Sequence, residues 1–218
     1  MIIHKNCYGT LLVVWLICLP LAFVILRFIP WAVLAYTLAS VPMFFMGFVL
    51  YFFRVPDRGR VDGDNVVTAV ADGKIVVIEK VMEEEYVKGE CIQVSIYMDF
   101  FNVHVNFWPV DGDVTYYRYH PGKYMFAYLP KASELNEHTS VGMKTPFGDV
   151  FFKQIAGTFA RRIVCHAMVG ETVRKADECG IIKFGSRIDM FFPLDTDIKV
   201  KLGEYVKASE TVIAELPK

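Results

Sequence analysis

The pattern of apolar and polar positions divides the chain in two. From Tyr8 to Phe53 the residues are almost all apolar, and Arg27 is the only charged residue between Lys5 and Arg54. The stretch has two parts, residues 8–26 and 31–53, split by Arg27-Phe28-Ile29-Pro30. At a helical rise of about 1.5 Å per residue, each part approaches or spans a hydrocarbon core of about 30 Å. The pattern predicts an apolar helical hairpin over residues 1–55. Pro20 and Pro42 fall inside it, which membrane helices tolerate when neighbours satisfy the freed carbonyls.

From Val66 onward the period shortens. Short runs of β-branched and aromatic residues alternate with turn residues, the mark of strands. Strands are expected over 66–70, 74–81, 92–97, 103–108, 113–119, 150–155, 161–169, 188–192 and 198–202, with turns at Ala71-Asp72-Gly73 and Pro109-Val110-Asp111-Gly112. Helical signal is sparse, with short candidates at 123–128 and 133–137. The expected fold for 56–218 is mainly β, a β-rich α+β domain. The cadence of strand and turn from Asp189 to Leu216 is similar to the flattened barrels of lipoyl and biotinyl domains.

Composition sharpens this only in places. The net charge is −1, which removes the basic excess that nucleic-acid binding calls for. The five cysteines are scattered, with no Cys-x-x-Cys pair, so neither a disulfide framework nor a zinc site is indicated. A cleaved signal peptide fits poorly, because the apolar stretch is too long and no small-residue cleavage site follows its first part. His4 and Lys5 precede the hairpin, and Arg54, Arg58 and Arg60 follow it. Positive charge at both outer ends places them on the cytoplasmic side of the cell membrane. The same arginines favour an anionic lipid surface.

Three places carry candidate chemistry. Gly185-Ser186 lies between two apolar runs, where a serine on a tight turn can be offered as a nucleophile. His104, in Asn102-Val103-His104, can take a serine proton near neutral pH. Asp72, in the Ala71-Asp72-Gly73 turn, can orient a histidine. Each alone has a plainer reading: a turn, a core histidine, a turn aspartate.

Their order changes the weight. Phe52-Phe53-Arg54-Val55-Pro56-Asp57-Arg58, Val70-Ala71-Asp72-Gly73-Lys74, Asn102-Val103-His104, Trp108-Pro109-Val110-Asp111-Gly112, His120-Pro121-Gly122-Lys123, Lys131-Ala132-Ser133-Glu134-Leu135-Asn136-Glu137, Gln154-Ile155-Ala156-Gly157 and Phe184-Gly185-Ser186 follow one another along the chain. Together they resemble the phosphatidylserine decarboxylase family in its short, archaeal-like form, from about Phe52 to the C-terminus.

The resemblance implies a proenzyme that cuts itself between Gly185 and Ser186 into a β chain, 1–185, and an α chain, 186–218, which stay together as a heterodimer. Ser186 would become a covalent pyruvoyl group, the enzyme's pyruvate cofactor. His104 would assist the cut, with Asp72 as its partner. Phosphatidylserine, held in the bilayer, would be joined as a Schiff base and released as phosphatidylethanolamine and CO₂. Lys123, Lys131, Asn136, Glu137 and His138 are the candidates for the head-group region. The chain departs from the family at Phe101, where many relatives have a second histidine, and at His138, where relatives often have arginine. Three other readings stay open on the residues alone: a membrane-tethered lipoyl-like adaptor, a serine hydrolase using Ser186, and a decarboxylase of a different serine-headed lipid.

Overall fold

The computed structural model describes residues 2–123, 135–157, 163–182 and 186–218. The chain divides into two compact units, Met1–Pro56 and Asp57–Lys218.

The first unit is a helical hairpin. Strand β1 (Ile2–Ile3) leads into α1 (Tyr8–Phe28); α2 (Ala32–Phe52) returns and ends in β2 (Arg54–Val55). Helix α1 stops at Ile29, whose extended backbone is what a following proline imposes. The ends of the hairpin are tied by antiparallel pairing of β1 with β2 and by the His4 N–H donated to Phe53 O at 3.0 Å. The buried residues of α2 are Ala35, Ala39, Pro42, Met46, Val49 and Phe52, a stripe spaced three and four apart; those of α1 are Cys18 and Ala22. Small residues let helix backbones approach closely without water to drive them together. Leu12, Leu16, Phe23, Val33, Tyr36 and Phe44 point outward and are exposed. Both helices are long and apolar enough to cross a membrane.

The second unit is mostly β, with a curled half-barrel sheet. Its strands in chain order are β3 (Val66–Thr68), β4 (Gly73–Glu83), β5 (Gly89–Met98), β6 (Val105–Phe107), β7 (Gly112–His120), β8 (His138–Thr145), β9 (Gly148–Ala156), β10 (Ile163–Cys165), β11 (Thr172–Val173), β12 (Glu178–Ile182), β13 (Ser186–Phe192), β14 (Asp197–Ile198), β15 (Tyr205–Val206) and β16 (Val212–Glu215). The large sheet runs β11-β7-β8-β9-β13-β5-β4-β15, and two smaller sheets run β10-β12-β6 and β14-β16-β3. The pairings between these strands are antiparallel, so successive side chains alternate between two faces.

One face builds the core: Val94, Ile96 and Met98 of β5, Ile188, Met190 and Phe192 of β13, Val150 and Phe152 of β9, and Val141 and Met143 of β8. The hairpin and most expected strands are observed, with shifted ends. Strand β8 is not among those expected. Its core side chains, Thr139, Val141 and Met143, alternate with His138, Ser140 and Gly142, so polar residues on both faces hide the period. The segment expected as helix over 133–137 is extended at Asn136, which makes a parallel bridge to Lys123. Residues 124–134, which carry the rest of both helix candidates, and Arg161 lie outside the described residues.

The other face of the large sheet is polar. The β4–β5 turn folds across it. Tyr86 stacks on Phe151 with ring centroids 5.2 Å apart, over Gly142, where a Cβ would lie 2.4 Å from the tyrosine ring. Glu83 accepts the N–H groups of Glu85, Tyr86 and Val87 at 2.8–3.1 Å, which fixes the turn. Glu85 then reaches Lys153 at 2.9 Å, His120 at 2.6 Å and Ser140 at 3.0 Å. Arg187 pairs with Asp189 at 2.6 Å and donates to Ser95 at 2.9 Å. Of these, Glu83, Glu85, Lys153, Arg187 and Asp189 line a cavity of about 900 Å³ with Glu79, Gln93 and Phe191.

Burial opposes charge on Glu85, but Lys153, then His120 and Ser140, more than offset it and hold the carboxyl at about 2. A depressed folded value gives stability that is present above the unfolded value near 4.5 and lost as pH falls toward 2. Glu85→Gln is expected to lower stability at pH 7 by about 1–2 kcal/mol, allowing for solvent screening. It should also flatten the loss of stability between pH 4.5 and 2 seen in thermal melts. Parallel melting curves for the two proteins across that window would remove the pairing from the account.

Candidate active site

Ser186 opens β13, the strand between β5 and β9. It is fully buried, opposite Met98 on one side and Ala156 on the other. Its hydroxyl donates to Met98 Sδ at 3.3 Å. Alternation turns Ser186 toward the core, with Ile188 and Met190, and sends Arg187 to the polar face. The 900 Å³ cavity therefore lies on the reverse face of β13. Gly185 is outside the described residues.

His104 precedes β6 and is also fully buried. Its Nδ1 lies 3.0 Å from Asn102 O. A carbonyl only accepts, so Nδ1 carries the proton and Nε2 is the basic nitrogen of the neutral ring. The turn before it is clamped reciprocally: Asp99 N–H donates to Asn102 Oδ1, and the Phe101 and Asn102 N–H groups donate to Asp99 Oδ1. The His104 carbonyl accepts the Ile182 N–H at 3.2 Å, four residues before Ser186.

A stack of side chains relates the two residues. Trp108 meets Phe152 edge to face at 6.1 Å, and Gln154 Nε2 donates to Asn106 Oδ1 at 2.7 Å. Each step moves two residues back along the β6 segment and two forward along β9. Two residues back from Asn106 is His104, and two on from Gln154 is Ala156, whose partner on β13 is Ser186. Ser186 and His104 thus belong to one end of the interior.

Asp72 belongs to the same end. A Cβ on Gly73 would lie 2.3 Å from Tyr97 O, so glycine lets this turn close onto β5 beside Met98. The Asp72 carboxylate, however, is engaged by Arg58 at 2.7 and 2.8 Å and accepts the Ala208 N–H at 2.9 Å. Its carboxylate is thus the partner of an arginine here. Arg58 also reaches Glu210 at 3.0 Å, and Arg60 pairs with Asp111. Two of the three arginines expected at a lipid surface, Arg58 and Arg60, are therefore committed to ion pairs within the second unit. The motif Arg54-Val55-Pro56-Asp57-Arg58 held the signal, but charge beside an apolar stretch reads first as topology.

The head-group candidates separate. Asn136, Glu137 and His138 are buried, and Lys123 is exposed; Lys131 lies outside the described residues. Asn136 donates to Ala156 O at 2.7 Å and, through its carbonyl, accepts from His138 Nδ1 at 2.7 Å. His138 stacks on His120 with centroids 4.3 Å apart, and burial pushes its pKa down. This segment fastens β8 to β9 beside Ser186. Glu85, His120 and His138 lie close enough to share a metal ion. The Lys153 ammonium on Glu85, the commitment of His138 Nδ1 and rings only 13° from parallel do not suit a cation. The sequence reading also misses Asn106 and Thr139, which join Gln154 in one buried polar chain.

A family model described as phosphatidylserine decarboxylase matches residues 45–214. A protein of Cytophaga hutchinsonii named phosphatidylserine decarboxylase proenzyme is 43% identical over 217 residues, 99% of each chain. One of Amoebophilus asiaticus with the same name is 48% identical over 169 residues, 77% of this chain and 75% of the relative. One of Parabacteroides distasonis is 40% identical over 218 residues, again 99% of each. The buried serine at the head of a central strand, a fully buried histidine and these relatives agree: the chain belongs to the phosphatidylserine decarboxylase family.

Proposed function

We propose that the chain is a membrane-anchored proenzyme that cuts itself between Gly185 and Ser186 and then decarboxylates phosphatidylserine to phosphatidylethanolamine. What supports the reading is the family, together with a fully buried Ser186 at the head of β13 and a fully buried His104 whose carbonyl accepts the Ile182 N–H, four residues before that serine. His104 Nε2 takes the hydroxyl proton as Ser186 Oγ adds to the Gly185 carbonyl carbon. The peptide C–N bond breaks and an ester forms. Loss of the Ser186 α-proton expels the Gly185 carboxylate and leaves dehydroalanine. Hydration and release of ammonia then leave a pyruvoyl group on the α chain.

The residues fit such a group: Ser186 faces the buried interior beside Met98, and His104 is buried with its Nδ1 held by Asn102 O. The group supplies an electron sink for the bond broken as CO₂ leaves. The interior excludes water, and the histidine holds or returns a proton. Asp72 serves by holding its turn against Arg58 and Ala208. Lys123 and Lys131 are the cations suited to a phosphate head group. The hairpin crosses the cell membrane with both ends on the cytoplasmic side, which keeps a bilayer-bound substrate within two-dimensional reach.

Intact mass spectrometry of the membrane-matured protein tests this first. Two chains divided at 185–186, the smaller lacking a free amine, are expected; a single uncut chain would favour a hydrolase or an adaptor. Ser186→Ala should remain one inactive chain. His104→Ala should slow cutting by roughly 100-fold or more, read as a time course of the fragments. Rapid, complete processing of that variant takes the histidine out of the step. Asp72→Asn and Arg58→Gln should each lower stability by about 2–4 kcal/mol, with the double variant little worse than either. If Asp72→Asn stops cutting while Arg58→Gln does not, Asp72 acts on the histidine after all.

A further inference from the structure

Asn106, Gln154 and Thr139 form a polar chain inside an otherwise apolar core, and each is at most 1% exposed. Thr139 Oγ1 donates to Gln154 Oε1 at 2.8 Å, and Gln154 Nε2 donates to Asn106 Oδ1 at 2.7 Å. The hydroxyl sets the Gln154 amide, and Gln154 sets Asn106. Turning the Asn106 amide over would bring two N–H groups face to face. Asn106 Nδ2 is left buried with no hydrogen-bond partner. A buried donor without an acceptor bears the whole penalty of its lost hydration.

The stack limits what can meet that donor. On one side lies the Trp108–Phe152 pair, which offers no acceptor. On the other, His104 comes two residues back from Asn106 and Ala156, the register partner of Ser186, two on from Gln154. We infer that Asn106 Nδ2 receives the carboxylate of the serine head group, and so selects the lipid that still carries it. The inference rests on the decarboxylase reading above. A neutral amide suits this task. The carboxylate loses its charge as CO₂ leaves, so a lysine or arginine would hold the ground state more tightly than the transition state and raise the barrier. One N–H from an uncharged group orients the carboxylate, while Met98, Ile188 and Phe152 around it favour the step that removes charge.

Two variants test this. Asn106→Leu deletes the donor. Asn106→Asp keeps an oxygen for Gln154 and sets an acceptor against the substrate carboxylate. For cleaved wild type and both variants, KM for phosphatidylserine is read from CO₂ release. Binding of phosphatidylethanolamine, which lacks the carboxylate, is read by mass as its cyanoborohydride-trapped adduct on the 186–218 chain. The variants are expected to raise KM for phosphatidylserine roughly 10–100-fold, while half-saturation of trapping by phosphatidylethanolamine stays close to wild type. Equal changes for the two lipids, or none, would overturn the assignment. So would variants that stay uncut while wild type cuts, which would put the donor in maturation. A wild-type chain that never cuts removes the decarboxylase reading itself, whatever the variants do.

Discussion

Strand β13 is gripped on both sides, by β5 over seven register pairs and by β9 over six, and everything around the site follows from that register. Alternation sends Ser186, Ile188, Met190 and Phe192 to the dry core, and Arg187, Asp189 and Phe191 to the polar face. A slip of one residue would exchange the two sets. It would bury two opposite charges against Phe152 and Met98 and turn the serine away from His104. The core is thus a device for aiming one hydroxyl. The hydrophobic pattern of β13 specifies the aim more firmly than any contact the hydroxyl itself makes.

The polar face needs a different account. Glu83, Arg187 and Asp189 are charges held at or near full burial, with Glu85 and Lys153 part-buried beside them. Such groups stabilise little when complete but destabilise strongly when one partner is removed. Here each has its counterpart, and the β4–β5 turn supplies two of the carboxylates from one short segment. That arrangement fixes where the turn lies across the sheet. The Arg58–Asp72 pair does the same at the other end, tying the residues after the hairpin to the turn that enters β4. In both places charge chooses one geometry for the chain, and the apolar core supplies the driving force.

What the sequence disclosed follows the strength of the period. The hairpin was legible because apolar residues dominate two helix lengths, and β13 and β5 because β-branched and aromatic residues alternate. Strand β8 was not, since Thr139, Ser140 and Gly142 look like loop residues until their neighbours are known. Ser186 and His104 stood out only as members of an ordered set of motifs; singly, each resembles a turn or a core residue. Asp72 was found, but the arginine that binds its carboxylate was not. Arg58 lies near it in sequence, yet nothing in spacing says that an arginine beside an apolar segment will fold inward. Asn106 carried no signal, because an amide becomes informative only when its hydrogen bonds can be counted.

The same register bears on how a cut chain would hold together. A break between residues 185 and 186 removes one covalent bond at the edge of the interior. The 186–218 piece would still be bound through β13 to β5 and β9, through β15 to β4, and through β16 to β3. Its core side chains Ile188, Met190, Phe192, Val200, Val206, Ile213 and Leu216 are buried among residues of the longer piece. Buried apolar side chains contribute about 1.5–3 kcal/mol each, so the pieces would have no reason to part. Only the new chain end, at the head of a central strand, would gain freedom. On the proposed reading, that would suit a reactive carbonyl at a strand terminus, ordered by its neighbours from residue 187 onward at the point where a lipid amine would arrive.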